Sequence, residues 1–494
     1  MLGKIETTLF YFFVVELSCD FLGSKVAIVV SLQSCCVKFC IVHCVLKFKM
    51  EVTGKITKID VCDVRFPTSL EHHGSDAMHG EVDYSAAYVT MATDADDVIG
   101  CGLTFSLGRG NDILVKAIEV IRGHVIGRQL SDIYSNFGKF CREITQEGQL
   151  RWLGPEKGVI HMASAAIFNA LWDLWGKKCG KPVWKLLAEM SPHEVVSLVD
   201  FSYITDVLTK DEALKLLTRN KGTQKERELI LMEKGFPAYT TSTAWLGYSD
   251  ETLVKKCREA LVEGWTKFKM KVGSNVDDDK RRAKLIRDEI GYNCDLMMDA
   301  NQKWDVKEAI EWMKQLVEFR PLWIEEPTCP DDVIGHATIA KALSPHNVGV
   351  ATGEQCQNRV VFKQLLQVDG LKFLQIDSCR VGSINENIAI LLMAAKFNVP
   401  VCPHAGGVGL CELVQHIIMF DYLCVSATNE QRMCEYVDHL HEHFIEPVVI
   451  QNTCYMPPKK PGYSSEMKKD SVENYKFPDG KIWKDLIEGG KFVQ

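Results

Sequence analysis

Seven ionisable side chains recur through the second half of the chain at a nearly constant interval. Lys271, Asp299, Glu325, Glu354, Asp377, His404 and Glu435 are separated by 28, 26, 29, 23, 27 and 31 residues. Each stands at or near the end of a short strand-like run, as Leu296-Met297-Met298 precedes Asp299. Their types sort into roles. Asp299, Glu325 and Glu354 are three carboxylates at successive positions of the series. They suit a hard dication such as Mg2+, which keeps coordination positions open for water or substrate. Without a cation they would repel one another and one would protonate. A carboxylate at Asp377 behind the imidazole of His404 would fix its tautomer and raise its basicity, the arrangement of a general acid or base. Lys269 and Lys271 alternate with Phe268, Met270 and Val272. In a strand both lysines therefore share a face, as Asp299 and Asn301 do one strand later. A buried lysine beside a second lysine and a dication is expected to have its pKa pushed down toward neutrality. Lys271 would then be a usable base, and Lys269 could stay charged to hold a substrate carboxylate. Each group also has a plainer reading: lysines on a solvated face, carboxylates paired with Lys or Arg elsewhere, a core histidine.

One such residue every 23 to 31 positions is the period of a βα unit. Strand-like runs lie at 237–245, 267–272, 295–299, 322–327, 348–354, 373–377, 399–404 and 433–436. Helical patterns lie between them at 249–263, 277–290, 306–319, 336–343, 358–366, 384–397 and 410–420. Alternation of this kind predicts a parallel sheet. About eight units in about 250 residues predict closure into a (β/α) barrel, whose strand C-termini share one face. Ahead of the barrel, residues 50–190 read as an α+β domain. Its strands are placed at 56–64, 86–93 and 98–105, its helices at 112–129 and 159–178. The second helix is stopped by Cys179-Gly180-Lys181-Pro182. The long polar loop from Phe66 to Tyr84 is a candidate functional segment. Residues 191–450 form the barrel domain. Residues 451–494, with Pro457, Pro458, Pro461 and Gly462, read as an irregular tail packing on the N-terminal domain.

The totals narrow the function. Of 494 residues, 46% are hydrophobic and 25% charged, with a net charge of −8, an ordinary globular balance. No basic tract invites nucleic acid. Nineteen cysteines, odd in number and scattered, read as reduced core thiols of a cytosolic or matrix-like compartment. Cys35, Cys36, Cys40, His43 and Cys44 fit no zinc spacing. Residues 1–49 form an atypical extension. Glu6 and Glu16 bracket its first apolar run, it lacks the arginines of a presequence, and it holds no uninterrupted apolar run of about 20 residues that would span a membrane. Met50 is the expected start of the folded protein. His439, His441 and His443 alternate without zincin spacing and read as exposed surface. Gly102 to Gly110 lacks a P-loop Lys-Ser/Thr, and no G-x-S-x-G precedes a helix.

Taken together, Lys269-Met270-Lys271, Asp299-Ala300-Asn301-Gln302, Trp323-Ile324-Glu325-Glu326-Pro327, Gly353-Glu354, Asp377 and Pro403-His404 resemble the enolase superfamily, mandelate-racemase subgroup. Enolase-superfamily sites are themselves the recognised pattern of a Lys or His base beside Mg2+, so the chemistry here is taken over from that pattern. Segments 64–69, 74–79, 83–88, 403–409 and 434–439 are similar to the L-fuconate dehydratases and their mitochondrial vertebrate relatives. The likeness covers about residues 50–465; the extension has no counterpart. It implies a modified (β/α)7β TIM-type barrel with an α+β N-terminal capping domain completed by the C-terminal tail. It also implies dehydration of L-fuconate to 2-keto-3-deoxy-L-fuconate. Mg2+ on Asp299, Glu325 and Glu354 would bind the substrate carboxylate. Lys271 would take the α-proton, and Lys269 and Glu435 would stabilise the enediolate. His404, held by Asp377, would help expel the 3-hydroxyl. Gly74, Ser75 and Asp76, with Tyr84, would cover the mouth and read the distal end of the sugar, with Asn301 also contacting substrate. The expected partners are a small sugar acid and, in a homo-oligomer, further copies of the chain, with neither nucleic acid nor membrane. The expected compartment is mitochondrial by resemblance, or cytosolic. Two alternatives stay open: epimerisation or dehydration of another aldonic acid, and a non-catalytic metal-binding protein on the same fold.

Overall fold

The computed structural model describes residues 12–19, 24–31 and 52–492. The chain separates into two compact units, Met1–Glu51 and Val52–Gln494. In the first, β1 (Phe12–Cys19) and β2 (Ser24–Ser31) pair antiparallel, with Phe12 opposite Ser31. The cysteine-rich stretch 35–44 and Met50 lie outside the described residues.

The second unit opens with an antiparallel sheet of β3 (Ile56–Arg65), β4 (Ser85–Thr93) and β5 (Gly100–Ser106) in that order. The two longest helices in this part are α1 (Asn111–Ile121) and α2 (Gly158–Lys178), with shorter ones at Leu130–Ser135, Phe137–Thr145, Leu150–Leu153, Val183–Glu189 and Pro192–Ser197. Helix α1 stops eight residues before its predicted end. A short 3-10 turn at Arg122–His124 and Gly127, with φ of 90°, interrupt the helical pattern. In α2 every residue from Ile160 to Gly176 is buried, with no wet stripe, because the helix packs on β5 and on the barrel helix 383–397. Asp173 on α2 accepts from Cys101 N and Tyr463 N, each at 2.8 Å, and so ties sheet, helix and tail together.

The barrel strands are β6 (Phe236–Ala244), β7 (Lys267–Lys271), β8 (Asp295–Asp299), β9 (Trp323–Glu325), β10 (Gly349–Thr352), β11 (Phe373–Leu374) and β12 (Cys434–Tyr436). They pair in parallel in sequence order from β6 to β11, and β12 lies against β6. The gap between β11 and β12 is filled by the segment predicted as a strand at 399–404. It forms only a bridge, Val401 to Leu374, because Pro400 and Pro403 have no N–H to give. Cys402 N, His404 N and Glu435 N still close the ring, donating to Leu374 O, Ile376 O and Pro403 O. Seven helices follow the first seven positions: α3 (Asp250–Val262), α4 (Val276–Ile290), α5 (Val306–Leu316), α6 (Val333–Leu343), α7 (Arg359–Gln367), α8 (Ser383–Phe397) and α9 (Leu410–Phe420). The fold is thus the α/β barrel of (β/α)7β form with an N-terminal cap. Side chains pointing inward from the strands, Tyr239, Met297, Trp323, Ala351, Phe373, Cys402 and Met433, form a buried floor separate from the main core.

Other differences from the sequence expectations have local causes. The strand predicted at 322–327 ends at Glu325, since Glu326 turns to φ 43° ahead of Pro327. Helices at Lys210–Lys221 and Gln224–Lys234 are additional to those predicted, although Thr209 and Glu212 form a capping box that announces the first. The tail is not irregular throughout. Strands β13 (Ile450–Gln451) and β14 (Cys454–Tyr455) pair, β14 adds to β6, and helices follow at Lys469–Tyr475 and Lys481–Glu488. Buried Trp483 anchors the last helix, donating from Nε1 to Arg65 O at 2.9 Å. Among the described residues from Val52 on, all cysteines are free thiols, and among the described residues no helix is long and apolar enough to cross a membrane.

Gly353 shapes the strand end that carries Glu354. Its φ is +152°, and a Cβ there would overlap the carbonyl of Gln375 on the next strand. Gly353→Ala is expected to cost about 2 kcal/mol or more through strain and overpacking. Chemical denaturation checks this; an unchanged midpoint would contradict it.

Candidate active site

All seven phased side chains reach the C-terminal mouth of the barrel, arranged in two tiers. In the lower tier Lys269, Asp299, Glu325 and Glu435 are almost wholly buried. Lys269 Nζ lies 2.7 Å from Glu325 Oε1, 2.7 Å from Glu435 Oε1 and 3.3 Å from Asp299 Oδ2. Its three donors are therefore all engaged by protein carboxylates, and the ammonium stands beneath the cavity. The upper tier lines a cavity of about 220 Å³: Lys271, Asn301, Glu354, Asp377 and His404, with Glu435 reaching up from below. Lys271 Nζ donates to Asp299 Oδ2 at 2.6 Å and Asn301 Oδ1 at 3.0 Å. The pairing Lys271↔Asp299 in the β7–β8 register puts the two side by side.

Asp299, Glu325 and Glu354 each offer an oxygen, and the three oxygens lie within 4.8 Å of one another. Their electrostatics suit a cation among them. Burial, and then the neighbouring Asp299 carboxylate, push Glu325 up to about 8 despite Lys269. Asp299 is held the other way. Burial opposes its charge, but Lys271 and Lys269 outweigh burial and keep it below the usual carboxylate range. Trp323 Nε1 donates to Glu325 Oε2 at 3.1 Å, and Asn301 N to Asp299 Oδ1 at 3.0 Å, fixing these two carboxylates.

The depressed lysine is expected beside a dication; among the protein groups alone the shift runs the other way. Burial alone would lower the pKa of Lys271, but Asp299 at 2.6 Å outweighs it and holds the ammonium above the ordinary lysine range. A dication and a second lysine are the neighbours that sequence spacing suggests for Lys271; the strand register also gives it a carboxylate in direct contact.

Across the cavity, His404 Nδ1 is 2.7 Å from Asp377 Oδ2, while Nε2 faces Glu354 Oε2 at 3.4 Å and Glu435 Oε2 at 3.8 Å. Asp377 Oδ1 accepts from Cys379 N and Arg380 N at 2.6 and 2.7 Å, which orients the carboxylate behind the ring. Burial disfavours the imidazolium, yet Glu354, the Asp377 hydrogen bond and Glu435 together raise His404 to about 9. It is thus an acid at neutral pH. Replacing Asp377 by Asn should lower kcat and move the descending alkaline limb of its pH profile to lower pH, since the Asp377 hydrogen bond is one of the groups that raise His404. A kcat–pH profile measures this; an unmoved limb would show that Asp377 does not tune His404.

The cap contributes the upper wall. Gly74, Asp76 and Tyr84 face the cavity. Gly74, at φ 78°, sits so close to Tyr84 Oη that no Cβ fits between them. Ser75 does not face the cavity. Its hydroxyl donates to the carbonyls of His72 and Leu246, so it ties the cap loop to the β6–α3 loop instead. Asp76 accepts from Met78 N, His79 N and the His79 ring. His79, in the polar loop marked by the sequence, also lines the cavity, as do Thr241, Trp245, Gln355 and Arg380, which do not stand out in the sequence. Position alone could have found Arg380, three residues beyond Asp377. The trio read as exposed surface is mostly buried. His439 packs among His73, Tyr84 and Trp245, with centroids 5.0 to 5.6 Å away; His441 meets Glu412 Oε1 at 2.7 Å, and His443 meets Ser471 Oγ at 3.0 Å. The tail and cap cover this stretch, which its alternation could not reveal.

Comparison with known proteins supports the same architecture. Residues 252–471 match the enolase C-terminal domain-like family, and residues 72–188 match the mandelate racemase/muconate lactonizing enzyme N-terminal domain. The chain is 63% identical over 437 residues to mitochondrial enolase superfamily member 1 of Xenopus laevis, covering 88% of this chain and 98% of that protein. It is 49% identical over 434 residues to L-galactonate dehydratase of Hypocrea jecorina, covering 87% and 95%. Among solved structures, human mitochondrial enolase superfamily member 1 superposes with a TM-score of 0.88 at 61% identity, over 88% of this chain and 99% of that one.

Proposed function

Since this chain belongs to the enolase superfamily, we propose that it is a Mg2+-dependent hydro-lyase that dehydrates a sugar acid. The substrate proposed is L-fuconate, and the products 2-keto-3-deoxy-L-fuconate and water. The observation that carries this reading is the opposition of Lys271 and the His404–Asp377 pair across one cavity, above three clustered carboxylates. One group can take a proton from carbon 2 while the other protonates a departing hydroxyl on carbon 3. Asp299, Glu325 and Glu354 hold the Mg2+. Bound there, the ion would supply Lewis-acid polarisation of the substrate carboxylate and stabilise negative charge at its oxygens.

The remaining steps belong to the protein's own side chains. Lys271, freed from its ion pair with Asp299 and having given up a proton to solvent before substrate binds, accepts the α-proton as a neutral amine, and Asn301 keeps its Nζ aimed at the same point. Lys269 and Glu435 lie beneath the developing charge, and the Lys269 ammonium stabilises it in a site shielded from water. His404 delivers its proton to the 3-hydroxyl as the C–O bond breaks, and Asp377 stabilises the ring throughout. The resulting enol tautomerises to the 2-keto acid. The cap loop at 74–76 and Tyr84 close over the distal carbons.

The fungal relative is named for L-galactonate, which shares the carbon configuration of L-fuconate and differs by a hydroxyl at carbon 6. A panel of acid sugars assayed with Mg2+ for 2-keto product discriminates these substrates. Faster turnover of L-fuconate than of L-galactonate is expected. Reversed preference would reassign the substrate, an epimer in place of a keto acid would reassign the reaction, and no turnover of any acid would overturn the reading. The names of the frog and human relatives support a mitochondrial compartment, which fractionation of the native protein would test.

A further inference from the structure

We propose that Arg380 recognises a hydroxyl of the substrate beyond the two reacting carbons, and so makes the enzyme selective for a long polyol acid; this rests on the dehydratase reading above. Arg380 is held firmly at its base and left open at its tip. Its main-chain N donates to Asp377 Oδ1 at 2.7 Å, and its Nε to the Glu354 carbonyl at 3.0 Å. These two bonds wedge the side chain between the ends of β10 and β11. At the tip, Nη1 meets only the thioether of Met162 at 3.2 Å, and sulfur is a weak acceptor. No carboxylate among the described residues lies within ion-pair distance of this guanidinium.

The buried arginines Arg359, Arg282 and Arg287 are filled. Arg359 is paired with Glu156, Asp200 and Glu386. Arg282 donates to the carbonyls of Lys271, Ala244 and Trp245, and Arg287 to those of Phe319, Gly291, Cys294 and Arg320. Arg380 departs from that pattern, and it does so on the wall of the cavity. A guanidinium presents five N–H donors in a rigid fork. Here the outer donors face the space where substrate would lie.

The direction of the substrate chain follows from strand order. With the carboxylate at the β8–β10 ligands, carbon 2 lies toward Lys271 on β7 and carbon 3 toward His404. Strand β11 is opposite β7, with three positions between them either way round the ring. Carbons past the 3-hydroxyl therefore leave toward the β11 side and the cap, where Arg380 and Met162 stand. A hydroxyl on carbon 4 or 5 would accept from the open fork.

The test compares two acids in two enzymes. One acid is L-fuconate; the other has matching configuration at carbons 2 and 3 and no hydroxyl beyond them. Specificity is read as kcat/KM, or as Ki where an acid is not turned over. In Arg380→Met, the preference for the long acid should fall by about 10- to 100-fold, mainly through KM, as expected on losing hydrogen bonds to a charged donor. Arg380→Lys keeps the charge without the fork and should show a smaller loss of the same preference. Circular dichroism and Mg2+-dependent melting confirm that each variant is folded. An equal loss on both acids would make Arg380 a counter-charge for Glu354 and Asp377 and overturn the proposal, as would no loss. If the unmodified enzyme acts on neither acid, the dehydratase reading itself fails.

Discussion

Lys271→Met is expected to abolish dehydration while leaving a folded protein. A positioned general base contributes about 10²- to 10⁴-fold, so kcat should fall by that factor with little change in KM. The same variant should stop exchange of the substrate α-hydrogen with deuterium from solvent, which isolates proton removal from the later loss of water. The fold should tolerate the change. Asp299 loses its 2.6 Å partner but keeps Lys269 at 3.3 Å, so its buried charge stays compensated. His404→Asn should behave differently: overall dehydration falls, and α-hydrogen exchange continues, because the base is intact. Turnover of the Lys271 variant within a few-fold of the parent would remove this residue from the mechanism.

The second large effect concerns the metal ligands and extends to stability as well as activity. Glu325 is fully buried, and its pKa in the fold, about 8, stands above the ordinary glutamate value. For such a group the stabilising contribution is complete below the unfolded pKa, near 4.3, and is lost as pH rises through the folded one. The chelated protein should therefore lose melting temperature between about pH 5 and pH 8.5. His404, raised to about 9, titrates in the same direction at the upper end, so the comparison must be made against a variant. Mg2+ at 100 times its Kd should restore about 2.7 kcal/mol by mass action. The rescue should grow with pH, since more ligand charge is then available to the ion. Glu325→Gln should flatten the pH dependence of the chelated protein, abolish most of the Mg2+-induced rise and remove activity. Differential scanning calorimetry at two pH values, with and without Mg2+, reads all of this. A Mg2+ response unchanged by Glu325→Gln would mean that the ion sits elsewhere.

Much of the fold and site is legible in the sequence, for a definable reason. The ends of the barrel strands recur with the βα period, and chemistry is confined to them, so Lys271, Asp299, Glu325, Glu354, Asp377, His404 and Glu435 can be picked out by phase. The side-chain period of two correctly pairs Lys269 with Lys271 and Asp299 with Asn301, but places Lys269 against substrate. Only the register shows that Glu325 and Glu435 take its donors first. Periodicity is blind to contacts across the ring. The segment 399–404 reads as a full strand because its apolar run hides the two prolines' missing donors. The helices at Lys210–Lys221 and Gln224–Lys234 carry little apolar signal, so they escape notice despite the cap at Thr209. Arg380 escapes it too, because one arginine in a loop has no periodicity to mark it. Its significance lies in what its guanidinium lacks, which only coordinates reveal.

The barrel floor has a consequence for where protons can travel. Tyr239, Met297, Trp323, Phe373 and Met433 pack beneath the site as a buried apolar layer of hydrocarbon and ring faces. The charged tier above it opens to the cavity under the cap, on the side away from this layer. On the proposed reaction, a substrate filling that mouth would leave the proton taken by Lys271 no path down through the apolar layer. That proton would stay in the site until product leaves, and the enzyme would keep its own proton inventory for the length of one turnover.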